Sequence, residues 1–145
     1  MPTKPIPNLD DLTLTRKQVQ SALRSKKSLR EADMRGIDLS DLSFDGLDLT
    51  GCKFAESNLT NCTFSGANLT NASLWRANLT NANLTHAILV DVDMDLCTLD
   101  GCNLGGARIH RSILPLQQYS FKDIESAVES GRPIYPSRRS QSSAY

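Results

Sequence analysis

The chain has 145 residues, of which 39% are hydrophobic and only 6% aromatic, and its sixteen basic side chains balance sixteen acidic ones. That length sets one domain with short extensions, and so few bulky residues exclude a conventional globular core in favour of a stack whose units bury one another. No stretch is apolar for long enough to span a bilayer, and the opening MPTKPIPNLDDLT lacks the apolar run of a secretory signal, so a soluble, cytoplasmic protein with no membrane contact is expected.

The first element lies in an N-terminal segment, residues 1–26. Thr15-Arg16-Lys17-Gln18 has the form of a capping box, and Leu14 and Val19 are placed as a hydrophobic staple. The spacing predicts a capping helix near 16–25 with Val19, Ala22 and Leu23 on its buried face.

From residue 27 to residue 114 a period of five takes over. Stepping by five from Leu29 gives Met34, Leu39, Phe44, Leu49, Phe54, Leu59, Phe64, Leu69, Leu74 and onward to Leu114, each of them large and apolar. From Ala32 to Ser112 the residue two before each is small or apolar, and between the two there is usually Asp or Asn, as in Asp38, Asn58 and Asn78. On an α-helix a period of five would carry the apolar residue around every face, and on a flat strand it would flip sides at each step. The chain must therefore turn a corner once per repeat. The large residue and the one two before it point inward, the residue between them points outward, and small polar residues or Gly make the bend.

The run ANLTNASLWRANLTNANLT resembles the pentapeptide-repeat protein family, and the likeness covers residues 27–114 in eighteen in-register repeats. The resemblance implies an all-β solenoid, a right-handed quadrilateral β-helix with four pentapeptides per coil and about four and a half coils. It then places residues twenty apart in columns: Leu39, Leu59, Leu79 and Leu99 in one, Phe44 under Phe64 in another. These six residues are taken as the structural core.

Pro115 ends the repeat. Within residues 115–136, Ser120 opens a second helix near 121–130 and Gly131 stops it, with Phe121, Ile124, Ala127 and Val128 as its apolar face. The two helices are read as caps for the stack's unpaired ends. The polar tail 137–145 is expected to be disordered.

Little here suits catalysis. Cys52, Cys62, Cys97 and Cys102 all fall at the small inward position and are read as buried hydrophobes rather than as a disulfide or zinc set. His86 and His110 sit at corners with no patterned partner, and no metal, cofactor or catalytic residue is assigned. An enzyme is not expected.

Departures from the repeat mark the candidate surface. Trp75 occupies a corner where Thr or Ser is usual, with Leu96 one coil above, and Arg76, Ile88 and Val90 complete the set. Such residues are either a partner's anchor or the footprint of a terminal helix. Arg76 is placed over Glu56 as an exposed ion pair. The basic residues Arg16, Lys17, Arg24, Lys26, Lys27 and Arg30 lie beside an acidic first coil containing Asp33, Asp38, Asp41, Asp45 and Asp48. Mutual neutralisation is preferred over nucleic-acid contact.

The leading expectation is a non-catalytic protein–protein interaction scaffold whose partner is another protein, the chain itself being a monomer or a dimer through its terminal helices. Delivery to another cell as an effector stands as a third class. The alternative comes from the resemblance: some members of the family imitate B-DNA and bind DNA gyrase or another topoisomerase. Duplex DNA carries about one charge per 1.7 Å, so a stack about 22 Å tall needs about 13 negatives to match it. Residues 31–114 hold eleven acidic against five basic side chains, and Asn fills the outward slots of the middle coils. The topoisomerase reading is disfavoured on that account.

Overall fold

The structure is a computed structural model and describes residues 13–136. The expected disordered tail, and the first twelve residues of the N-terminal segment, lie outside them. A helix α1 spans Arg16–Ser25 and a helix α2 spans Phe121–Ser130. Between them runs a solenoid whose outward residues pair in parallel with the residue twenty further on. The first wall carries Asp33, Lys53, Ser73, Asp93 and Ile113, and the second carries Asp38, Asn58, Asn78 and Thr98. Ser43, Thr63, Asn83 and Asn103 form the third, and Asp48, Asn68, Ile88 and Arg108 the fourth.

Backbone hydrogen bonds hold each coil to the next. Leu39 N–H donates to Asn58 O at 2.9 Å, Leu59 to Asn78 at 2.8 Å and Leu79 to Thr98 at 2.8 Å, while Asn78 N–H returns to Ser57 O at 3.0 Å. Most corners are β-turns closed by an i to i+3 bond, as from Ala77 N–H to Leu74 O at 2.9 Å, while Val92 N–H bonds to Ser112 Oγ instead. The third residue of the corner has positive φ, from Glu31 through Asn61, Asn71 and Asn81 to Arg111. That is the type II pattern, which favours Gly and Asn.

The outward Asn and Asp do more than face solvent. Asn78 Oδ1 accepts from Thr80 N–H at 3.0 Å and from Thr80 Oγ1 at 2.5 Å, and Asn58 and Asn68 repeat the arrangement. The Asn-Leu-Thr triplet is thus a corner lock, in which the side chain satisfies the N–H of the residue entering the turn.

Inside, Leu39, Phe44, Leu59, Phe64, Leu79 and Leu99 have no exposed surface. Phe44 and Phe64 stack one coil apart, with ring centroids 5.0 Å apart and planes 8° apart, and Phe54 meets both edge-on near 6 Å. Small residues fill the other inward slot because the large ones already fill the axis. Several side chains in that slot donate to the coil below: Cys52 Sγ to Leu29 O and Cys62 Sγ to Leu39 O, both at 2.9 Å, and Ser57 Oγ to Met34 O.

The helices close the two ends. Thr15 and Gln18 form the reciprocal capping box of α1, and Val19 sits fully buried against the first coil. Leu14 N–H pairs with Asp33 O at 2.8 Å, and the Arg16 guanidinium donates to Asp38 O and Ser40 O, both at 3.0 Å. Ala22 and Leu23 pack against the core only in part. On α2, Ile124 and Ala127 are buried and Val128 partly so, but Phe121 is 57% exposed. Its expected place on the apolar face is corrected. At 100° per residue the buried face centres on Ile124 and Ala127, and Phe121 stands about a quarter turn away.

The exit from the stack also differs from a simple break at Pro115. Tyr119, twenty residues after Leu99, is 1% exposed, and its hydroxyl accepts from Leu99 N–H at 2.7 Å while donating to the Asp100 carboxylate. The phenol oxygen replaces the carbonyl that a further coil would have supplied. Beyond α2 the chain returns to the edge, where Gly101 N–H donates to Ile134 O at 2.7 Å and Ile134 N–H to Cys102 O at 3.1 Å.

Candidate functional site

The candidate residues divide between corners. Trp75, Arg76 and Leu96 share the corner between the first and second walls, since Glu56 N–H bonds to Trp75 O and Arg76 N–H to Asp95 O, which sets Leu96 above Arg76. Val90 lies at the opposite corner of the first wall, where its carbonyl accepts from Asn71 N–H, and Ile88 lies on the fourth wall between Asn68 and Arg108. The five do not form one patch. The sequence reading missed this because it placed residues by slot, without asking which wall each slot had reached.

Arg76 does not close the expected ion pair with Glu56. Its guanidinium lies over the Trp75 ring, 4.9 Å from the centroid. A surface carboxylate offers little gain, whereas the indole face offers a cation–π contact at short range on the same corner. Trp75 is half-buried and Leu96 is 36% exposed. Neither helix is bonded to this corner: α1 is tied to residues 33–40, and α2 and the segment after it to residues 101–106, while the run into α2 reaches the corner through Gln117 Nε2, which donates to Asp95 Oδ1 at 3.3 Å.

Two further apolar residues continue toward the C-terminal end. Ile113 on the first wall is 57% exposed, and Leu116, just past the last repeat, is 54% exposed. The signal for Ile113 was present in the sequence, for it stands in the outward slot that Asp or Asn usually fills.

The chemistry of the remaining groups is quiet. Burial raises the thiols of Cys52 and Cys62 to about 11 and that of Cys102 to about 12, and pushes Cys97 up as well. All four are thus neutral near pH 7, and a neutral thiol is a poor nucleophile and metal ligand. His86 lies along its corner column against Gly106, where an added Cβ would fall 2.4 Å from the ring. Among the described residues no group of His, Cys, Asp and Glu converges as a metal site would require, and no helix is long and apolar enough to cross a membrane.

The preferred neutralisation of the basic segment is partial. Arg30 pairs with Asp48 at 3.0 Å and Arg16 approaches Asp38 at 3.8 Å, while Lys17, Arg24, Lys26 and Lys27 close no ion pair among the described residues.

A capped solenoid of five-residue turns, polar on its walls and filled by Leu and Phe ladders, defines the class of repeat-stack proteins. The profile described as Pentapeptide repeats matches in eight copies over residues 28–54, 48–85 and 77–114, and the chain belongs to that family. No curated protein sequence matches the chain. Among solved structures it is similar to a pentapeptide repeat protein of the cyanobacterium Cyanothece 51142, at 29% identity and a TM-score of 0.57, over 57% of this chain and 56% of that one. The chain therefore spans little more than half of that relative. A pentapeptide repeat protein of the Arabidopsis thaliana thylakoid lumen is 26% identical over 77% of this chain and 91% of its own, at a TM-score of 0.48. QnrB1, a plasmid-mediated fluoroquinolone resistance protein, is 21% identical over 59% of this chain and 44% of its own, at a TM-score of 0.32.

Proposed function

We propose that this chain is a non-catalytic scaffold that binds another protein through the corner bearing Trp75, Arg76 and Leu96, in the cytoplasm and without membrane or nucleic-acid contact. A right-handed winding of about four and a half coils belongs to the same reading, as the family resemblance implies. The observation that carries the proposal is an indole with a guanidinium laid over it, on a corner to which neither terminal helix is bonded. Aromatic and Arg side chains are the residues most often found to dominate binding at interfaces, since they bring a large rigid surface at small entropic cost. The neighbouring outward slots are polar: Ser73 on the first wall, Asn78 and Thr98 on the second. A polar surround is what a buried anchor needs around it to exclude water.

Affinity capture from native lysate with the full chain and with Trp75→Ala tests this reading, with thermal melting as the control. Loss of partners at unchanged melting supports it. Undiminished capture, or a sharp fall in melting temperature, overturns it, the latter by making Trp75 a packing residue. Against the topoisomerase reading stands the placement of charge, with Asp33, Asp38 and Asp48 on the first coil and Asn58, Asn68, Asn78 and Asn83 above them. A supercoiling assay discriminates: inhibition of gyrase by the repeat domain favours imitation of DNA.

A further inference from the structure

The two ends of the stack are unlike in charge and in shape. On α1, Lys17 and Arg24 stand opposite the buried Val19, and Lys26 and Lys27 follow directly. None of these four closes an ion pair among the described residues. Between α1 and the first coil runs an open groove of about 500 Å³, floored by Ala22, Leu23, Leu29 and Leu47. Lys26 and Lys27 line its helix side, and Asp45 and Asp48 line its coil side, Asp48 being already paired with Arg30 at 3.0 Å. At the other end, Phe121, Glu125 and Glu129 follow one another at four-residue steps down the exposed side of α2, with Lys122 beside Phe121. A large ring is left in water at one end, and an apolar groove is left open at the other.

We propose that copies of this chain associate head to tail, the exposed side of α2 docking in the α1 groove of the next copy with Phe121 on the apolar floor. Charge complementarity selects this occupant. Glu125 and Glu129 meet the basic side of the groove at Lys26 and Lys27, and Lys122 meets Asp45. A contact between unlike ends does not close on itself after two copies, so it builds rods that lengthen with concentration. Because its charged groups are exposed, salt weakens it. The walls, including the Trp75 corner, stay outside the contact, so the association is independent of the scaffold reading.

Sedimentation velocity of the full chain, over a range of concentration and salt, is the test. The expected result is a mass that rises above the 15.9 kDa monomer with concentration at low salt and returns to it near about 0.5 M salt. The variants E125K/E129K and K26E/K27E should each be monomeric alone, and mixing them should restore association, since the reversed ends are again complementary. Phe121→Ser should be monomeric by itself. All variants are first shown to melt like the parent. If one does not, Phe121→Ser and the salt series carry the test. A parent chain that stays monomeric up to about 1 mM, a dimer that persists in K26E/K27E, or a mixture that fails to associate overturns the proposal. The second of these outcomes identifies a closed pair of C-terminal ends instead.

Discussion

Leu96 holds a backbone conformation, φ 59°, in which a leucine costs about 1 kcal/mol relative to glycine or asparagine. Asn61, Asn71 and Asn81 show what the slot prefers. Leu96→Asn should therefore raise stability by about 1 kcal/mol in urea unfolding while weakening partner capture. A loss of stability would mean that the leucine packs more than its exposure indicates. The opposite case is Tyr119, whose hydroxyl is the acceptor for a buried backbone N–H. Removing that oxygen leaves Leu99 N–H unpaired, and the cost of an unmet buried donor is about 1–3 kcal/mol. Tyr119→Phe should lower the unfolding free energy by that amount, and unchanged stability would show that water replaces the phenol. The series of five continues from Leu114 to Tyr119 and so marked a large inward residue there, but a tyrosine hydroxyl standing in for a coil's carbonyl has no sequence signature.

At the scale of elements, both helices were legible because each carries its own start signal. Thr15 with Gln18, and Ser120 with Asp123, satisfy the first turn reciprocally, and Lys26 and Gly131 end the helices in the left-handed region. The rotation of α2 on the stack was not legible, since it depends on what lies beneath. Gly131 comes within contact distance of Gly105 at the corner between the third and fourth walls, and a Cβ on Gly105 would stand 3.0 Å from the Gly131 Cα and 3.1 Å from Asn103 Oδ1. Backbone against backbone has little room to yield. Gly105→Ala should lift the C-terminal cap, which hydrogen exchange would register as lost protection at Gly106, whose N–H donates to Val128 O at 2.9 Å. Unaltered protection there would show that α2 shifts as a body without leaving the edge.

Across the whole molecule, the first coil is built with Asp where the middle coils use Asn. Hydrogen bonds from Arg35 hold Asp33 below the ordinary carboxylate range, those from Ser40 do so for Asp38, and those from Thr50, with Arg30 beside it, for Asp48. A carboxylate whose folded value is depressed stabilises the fold above its unfolded value and loses that contribution as pH falls through the folded one. As pH falls below about 4, the N-terminal end should therefore fray before the Asn-built coils. Amide exchange of residues 33–50 against 73–89 in an acid titration checks this. Simultaneous loss in both regions would mean that the stack yields as one unit.

The five-residue period determined the inward ladders, the outward Asx slots and the corners, because each is a local rule repeated at every turn, and the capping boxes marked the two terminal helices. Leu29 to Leu114 keep their places for the same reason that a single pentapeptide must bend once. Tertiary structure alone decided which wall each departure reached. It divided Trp75, Arg76 and Leu96 from Ile88 and Val90, turned Arg76 from Glu56 onto the Trp75 ring, and left Phe121 in water. The physical reason is that these outcomes depend on neighbours twenty residues away along the chain, or on the far side of a corner. A pattern of period five records a residue's slot and carries no record of those neighbours.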